Sequence, residues 1–161
     1  MAISKEKILE DLQKKFSTGI VEISSQFGDD IILIEKEALQ DIVNFLREDP
    51  YGFSMLLDLT CVDYLGEEKR FEMVYHLFSL SLNTRLRFKA KLYQKDSKID
   101  SLTSIFKNAN WLEREVYDMF GIQFAGHPYL RRLFMYDGFE GHPLRKDYPL
   151  RKQQPKIQLR K

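Results

Sequence analysis

Apolar positions recur along this chain with two alternating periods, and each change of period marks a change of element. Ser4 can cap a first helix in which Ile8, Leu9, Leu12 and Phe16 repeat on one face, ending before Gly19. Val21, Ile23 and Ser25 then fall into a period of two and predict a strand. Gly28-Asp29-Asp30 turns it into a second strand, Ile31 to Ile34. Leu39, Ile42, Val43 and Leu46 restore the i, i+3, i+4, i+7 spacing of a helix, which Asp49-Pro50 stops. Three strands follow. Phe53, Met55, Leu57, Leu59 and Cys61 alternate with Ser54, Leu56, Asp58, Thr60 and Val62. The segment from Gly66 to Lys69 leads into Phe71 to Ser79, and Leu82-Asn83 leads into Thr84 to Tyr93.

Connections this short join antiparallel neighbours. The pattern therefore predicts an α+β fold: a small antiparallel or mixed sheet with flanking helices, followed by a long extended C-terminal tail. In the third of these strands Leu86, Phe88, Ala90 and Leu92 face in, so Arg85, Arg87, Lys89 and Lys91 face the other way. That stripe reads as the solvated face of a sheet, its lysines discouraging edge pairing. The sharper reading is a docking face for an acidic partner or nucleic acid. A nucleic-acid site would also offer stacking aromatics on that face, and it has none.

A short helical piece after Ser101 leads into the densest run of charged and aromatic residues, Asn110 to Arg132. Asn110 predicts an N-cap, with Glu113 reaching back to it as a capping box, and Gly121 suits the left-handed position that ends a helix. At about 100° per residue, Trp111, Leu112, Val116, Met119 and Phe120 share an apolar face. Arg114, Tyr117 and Asp118 fall opposite. Glu115 lies on the apolar arc between Trp111 and Met119. A carboxylate buried there needs a cation, and Arg131 or Arg132 is expected to fold back onto it as an ion pair.

Beyond Gly121 the grammar changes. G-H-P-Y-L-R-R at 126–132 is echoed by G-H-P-L-R-K-D at 141–147. Proline pushes each preceding histidine toward an extended conformation, and glycine permits a sharp bend. The chain therefore divides into an α+β globular domain, 1–124, and an extended C-terminal tail, 125–161, that becomes ordered against a partner surface.

Charge sharpens that division. The whole chain carries +1, but residues 125–161 hold nine Lys/Arg against three Asp/Glu, which is +6. The remaining 16 Lys/Arg and 21 Asp/Glu give −5 for residues 1–124. A basic tail on an acidic body points to an acidic groove on a partner, met by Arg145, Lys146, Arg151 and Lys152. Hydrophobic content of 43% fits a soluble globular protein, and no apolar run nears the length of a membrane span or forms a signal-peptide core. The single cysteine, Cys61, excludes an internal disulfide and reads as a small core residue. His76 with Cys61, or His127 with His142, lacks the local spacing of a metal site. His127 and His142 read instead as hydrogen-bonding loop residues, and no phosphate loop or nucleophile motif is present.

E-R-E-V-Y-D-M-F-G-I at 113–122, G-H-P at 126–128 and L-R-R-L at 130–133 resemble the signature of the C subunit of NADH-quinone oxidoreductase. This is the 30 kDa subunit family of respiratory complex I, with chloroplast, cyanobacterial and hydrogenase relatives. D-Y-P-L at 147–150 and, more loosely, L-D-L-T-C-V-D-Y at 57–64 extend the resemblance. Phe134 is bulkier than the pattern implies. The resemblance makes Glu113, Arg114, Glu115, Asp118, Gly121, His127, Pro128, Arg131 and Arg132 the motif positions, joined by His142 and Arg145 of the second bend as interface residues. It implies a scaffold in the peripheral arm, without catalytic, cofactor-binding or metal-binding residues of its own. FMN and Fe-S clusters are expected in partner subunits; the expected partners are the D subunit above all and the neighbouring Fe-S subunits. The assembly would pass electrons from NADH to quinone and pump protons, with this chain peripheral on the cytoplasmic side of the cell inner membrane.

Two rival readings stay open. The same module serves in a ferredoxin-plastoquinone oxidoreductase or an energy-converting membrane hydrogenase. From another class, a free-standing small enzyme would use Glu115 and His127 as an acid–base pair in an apolar pocket.

Overall fold

The computed structural model describes residues 3–156, so the first two residues of the expected domain and the last five of the expected tail lie outside the described residues. Helix α1 (Lys5–Lys15) starts where Ser4 Oγ accepts the Lys7 amide, and it buries Ile8 and Leu12. Each of those two side chains, wholly removed from water, contributes roughly 1.5–3 kcal/mol. Strands β1 (Ile20–Gln26) and β2 (Asp29–Ile34) form a hairpin, so Asp29 and Asp30 begin the second strand rather than the turn. The turn is Phe27-Gly28, both with positive φ, the backbone twist that a two-residue hairpin loop requires.

A 3-10 turn, Lys36–Ala38, opens into α2 (Leu39–Arg47), which buries all four predicted apolar positions. Strands β3 (Met55–Asp63), β4 (Phe71–Ser79) and β5 (Thr84–Leu92) complete a five-stranded sheet in the order β1-β2-β5-β4-β3. It is mixed: β2 runs parallel to β5, and the other pairs are antiparallel. Its core side carries Ile32, Ile34, Phe88, Ala90, Met73, Tyr75 and Leu59, which pack in one cluster with Ile8, Leu12, Ile42 and Leu46.

Two local expectations fail for identifiable reasons. The alternation along β3 breaks between Leu56 and Asp58, where the register with β4 shifts. Leu57 and Met55 are therefore exposed, while Leu56, Leu59, Cys61 and Asp63 are buried. The basic stripe of β5 also does not guard an edge, because β5 is interior. Arg87 pairs with Asp29 at 2.6 Å and Lys89 with Glu72 at 2.7 Å.

Strand β6 (Lys98–Asp100) pairs in parallel with β7 (Gln123–Ala125), which immediately follows α3 (Ala109–Phe120). The chain from Gly126 to Lys156 has no regular element and runs back along α3 and the end of β3, as its hydrogen bonds show. No helix among the described residues is long and apolar enough to cross a membrane.

Candidate interaction site at the junction of α3 and the C-terminal segment

Helix α3 begins earlier than the pattern predicts, with Asn108 in the N-cap position and no side-chain cap. Its first amides are met by a lead-in turn, since Ala109, Asn110 and Trp111 donate to Phe106, Lys107 and Asn108. With no capping box to fill, Glu113 turns inward. Its two oxygens accept the Leu102 amide at 2.6 Å and the Ser101 hydroxyl at 2.7 Å. Burial pushes this carboxyl up to about 7, against the pull of those two donors.

Glu115, by contrast, is exposed, and neither Arg131 nor Arg132 reaches it. The reason is that Trp111 is not core. The buried arc centres on Val116 and runs from Met119 to Glu113, each about 60° away, which leaves Trp111 and Glu115 outside it. Arg114 and Asp118, on the far side from Val116, are nonetheless buried. The C-terminal segment covers them and gives α3 a second interior face.

Asp118 is the hub of that face. Its Oδ2 accepts the consecutive amides of Leu133, Phe134 and Met135 at 3.0, 2.8 and 2.9 Å, and Arg132 Nη1 lies 2.7 Å from Oδ1. Burial works to raise its pKa, but the amide of Met135, the Arg132 guanidinium and the amides of Phe134 and Leu133 outweigh it. The carboxyl therefore stays below its ordinary value. Arg114 acts in the reverse sense, donating from Nε and Nη2 to the carbonyls of Arg131 and Arg132, each at 3.2 Å.

Both Gly-His-Pro bends place a histidine on the backbone of α3. His127 accepts the Tyr129 amide at Nδ1, so its Nε2 donates to the Asn110 carbonyl at 3.2 Å. His142 donates from Nδ1 to the Asp118 carbonyl at 2.9 Å. Leu144 N–H then donates to Met119 and Arg145 Nε to Phe120, while Gly121 N–H donates to Tyr117. The last four carbonyls of the helix are thus satisfied, three of them by the C-terminal segment, with the Arg145 cation at the negative end of the helix dipole. Gly121 ends α3 at φ 77°. A Cβ there would lie 2.5 Å from His142 Nε2 and 2.6 Å from Arg145 Nη2.

A second fastening is not among the motif positions. Arg70, only 2% exposed, forks onto Asp63 with Nε and Nη2 at 2.7 Å each. The same guanidinium also donates to both oxygens of Asp147, and the Lys146 amide donates to Asp63. The Arg70 fork holds the Asp63 and Asp147 carboxyls below the usual range. A sequence signal for it exists: once β3 is in phase, Asp63 follows Leu59 and Cys61 on the inward side and needs a cation.

Pro128 and Arg131 are exposed on the segment's outer side. Cys61 is buried, and burial with the nearby Asp63 pushes its thiol up to about 12, so it is no nucleophile at neutral pH. Among the described residues no three His, Cys, Asp or Glu side chains are arranged to hold a metal ion.

A family model described as respiratory-chain NADH dehydrogenase, 30 Kd subunit, matches residues 32–154, a span that takes in the second half of β2, the strands and helices after it, and this junction. The chain belongs to this family. The C subunit of NADH-quinone oxidoreductase from Trichlorobacter lovleyi is 48% identical over 145 residues, 89% of each chain. Its counterpart in Geobacter sulfurreducens is 45% identical over 140 residues, 86% of each. Among solved structures, the trypsin-resistant fragment (1-134) of Nqo5 is similar with a TM-score of 0.64 and 32% identity, covering 78% of this chain and 98% of that one. A chain of the membrane-bound sulfane sulfur reductase, an archaeal respiratory membrane complex, has a TM-score of 0.75 at 24% identity, over 90% and 85% of the two chains. At that identity the likeness concerns the fold.

In this member of the 30 kDa subunit family, then, most of the signature is structural wiring. Arg114, Asp118, Gly121, His127, Arg132, His142 and Arg145 all join α3 to the segment that follows it. Glu113 ties α3 to the Ser101 loop instead. Glu115 and His127 do not form an acid–base pair, because both ring nitrogens of His127 are committed to backbone groups.

Proposed function

We propose that this chain is a non-redox scaffold subunit in the peripheral arm of a proton-translocating NADH-quinone oxidoreductase. It would hold its C-terminal segment in shape for partner subunits while FMN and Fe-S clusters in those partners carry electrons from NADH to quinone. The observation that carries this reading is the use to which the signature is put. Most of its ionisable side chains are spent on fixing backbone, with Asp118 binding three amides and Arg132, and His127 and His142 each binding a helix carbonyl, while Glu115 and Arg131 face outward. Groups so committed position a surface; a proton-transfer site needs a group free to exchange its proton.

The partners under this reading are the D subunit and the neighbouring Fe-S subunits, on the cytoplasmic side of the inner membrane. The globular body is residues 1–124, and 125–161 is the segment that meets those partners. That the similar Nqo5 piece is a trypsin-resistant fragment supports a body of this kind. Relatives that bear the name of NADH-quinone oxidoreductase favour an NADH-fed complex over the ferredoxin-fed and hydrogenase hosts.

Affinity purification of the tagged full-length chain from its native membranes tests the proposal. The expected eluate contains flavin, iron–sulfur absorbance and NADH-quinone reductase activity. Recovery of this chain alone would overturn it.

A further inference from the structure

On the outer side of the junction an aromatic and arginine patch is left open. Trp111 projects from the first turn of α3 and is 60% exposed, and Tyr129, just after the first bend, is 56% exposed. Between them lies the Arg114 guanidinium, its carbon 5.0 Å from the Trp111 ring centre and 6.0 Å from that of Tyr129. The Arg131 guanidinium also lies on Tyr129, 4.3 Å from its ring centre. Two aromatic rings and two guanidinium groups thus form one contiguous cluster.

The patch is held before any partner arrives. Arg114 is anchored to the carbonyls of Arg131 and Arg132, and His127 is bonded both to Asn110 and to the amide of Tyr129. A side chain fixed in advance loses little entropy on binding. Trp, Tyr and Arg are also the residue types that dominate binding energy at protein interfaces.

Its charge is uncompensated. Among the described residues neither Arg114 nor Arg131 has a carboxylate partner, whereas Arg70, Arg87 and Arg132 each have one. Arg114 is buried and its Nε and Nη2 are already given to carbonyls, so it adds positive charge from beneath. The exposed Arg131 fork is free to take a carboxylate carried beside an apolar side chain in a pair of hydrogen bonds. A nucleic acid would call for a row of cations along its backbone, and the body behind this patch carries −5.

We propose that Trp111, Tyr129 and Arg131, over the buried Arg114, form the docking site for an acidic segment of a partner protein, in which Asp or Glu is taken by Arg131 and a flanking apolar residue packs on the exposed aromatic rings. This rests on the scaffold reading and names the chemistry of one of its contacts.

The test uses full-length tagged chains in native membranes: wild type, Trp111→Ala, Arg131→Glu and Arg131→Lys. Trp111 and Arg131 are exposed, so the isolated variants should melt with the wild type. Retention of the complex through a salt wash should fall on the order of 30-fold for Trp111→Ala and Arg131→Glu, the loss of one hot-spot residue. Arg131→Lys, which keeps the charge, should fall less than Arg131→Glu. A photo-crosslinker at position 111 should capture a protein segment containing Asp or Glu. If wild type retains the complex and both variants retain it equally, or if the crosslink goes to nucleic acid, lipid or a segment without acids, this inference is overturned while the scaffold reading stands. If wild type retains nothing, the scaffold reading fails first.

Discussion

The Arg70 guanidinium donates to both carboxylate oxygens of Asp147, at 2.7 and 2.9 Å, joining the start of β4 to a residue 77 positions later. The same guanidinium already forks onto Asp63, so one buried cation fastens the C-terminal segment to the sheet. Replacing it with Met should leave Asp63 buried without its cation, at a cost of about 3–5 kcal/mol. Asp147 is half exposed and adds little to that figure. Arg70→Lys should recover only part, because a single ammonium cannot reproduce two forks. Chemical denaturation of the three proteins measures this; equal midpoints would show that the pair is not holding the segment.

Gly121 gives a second test. Its φ of 77° disfavours any side chain, and an added Cβ would meet His142 and Arg145. Gly121→Ala should therefore cost about 1–3 kcal/mol and also loosen the segment that caps α3. Faster amide exchange at Leu144, whose N–H is bonded to Met119, would report that loosening. A destabilised protein with Leu144 still protected would confine the effect to backbone strain.

Glu113 predicts a pH dependence of stability. Its carboxyl is raised by burial from 4.5 to about 7, so the folded state holds the proton more tightly than the unfolded chain. The associated stability is fully present below pH 4.5 and is lost as pH rises through 7, in total about 3 kcal/mol at 1.36 kcal/mol per unit. Asp118 works with opposite sign: its lowered pKa gives stability that is present above 3.8 and lost as pH falls through its folded value. Glu113→Gln should flatten the loss between pH 4.5 and 7 and make the protein more stable than wild type at pH 8. Parallel melting curves for both proteins across that range would contradict it.

These tests fall at places that are unequally legible in the sequence. Helices α1 and α2 are plain because each buries one face, so the apolar period and the burial period coincide. Strand β3 is legible in extent but not in phase, because the register shift after Leu56 resets which residues face in. Helix α3 misleads most. Periodicity assigns one apolar side, but the C-terminal segment adds a second interior side made of Arg114 and Asp118, where burial is offset by backbone carbonyls for the one and by amides and the Arg132 ion pair for the other. Trp111 then resembles core although it is open to solvent, and the pattern points to Glu115 as the buried acid when the buried acids of α3 are Glu113 and Asp118. The repeated Gly-His-Pro does announce two bends. That both set a histidine on the same helix depends on the path of the chain between them, which local pattern does not encode.

Ending the chain after Tyr136 separates a role in assembly from a role in the chemistry. The cut removes His142, the Leu144 amide, Arg145 and Asp147, and with them three caps of α3 and half of the Arg70 fastening. It spares every buried residue of the hydrophobic core, the last of which is Phe124. With the truncated chain as the sole copy in the cell, the quantity to measure is NADH-quinone reductase activity per assembled complex, beside the yield of that complex. If the junction serves assembly alone, the yield falls and the activity of each complex that forms is unchanged. A full yield of complexes that have lost activity would show instead that the segment takes part in the reaction.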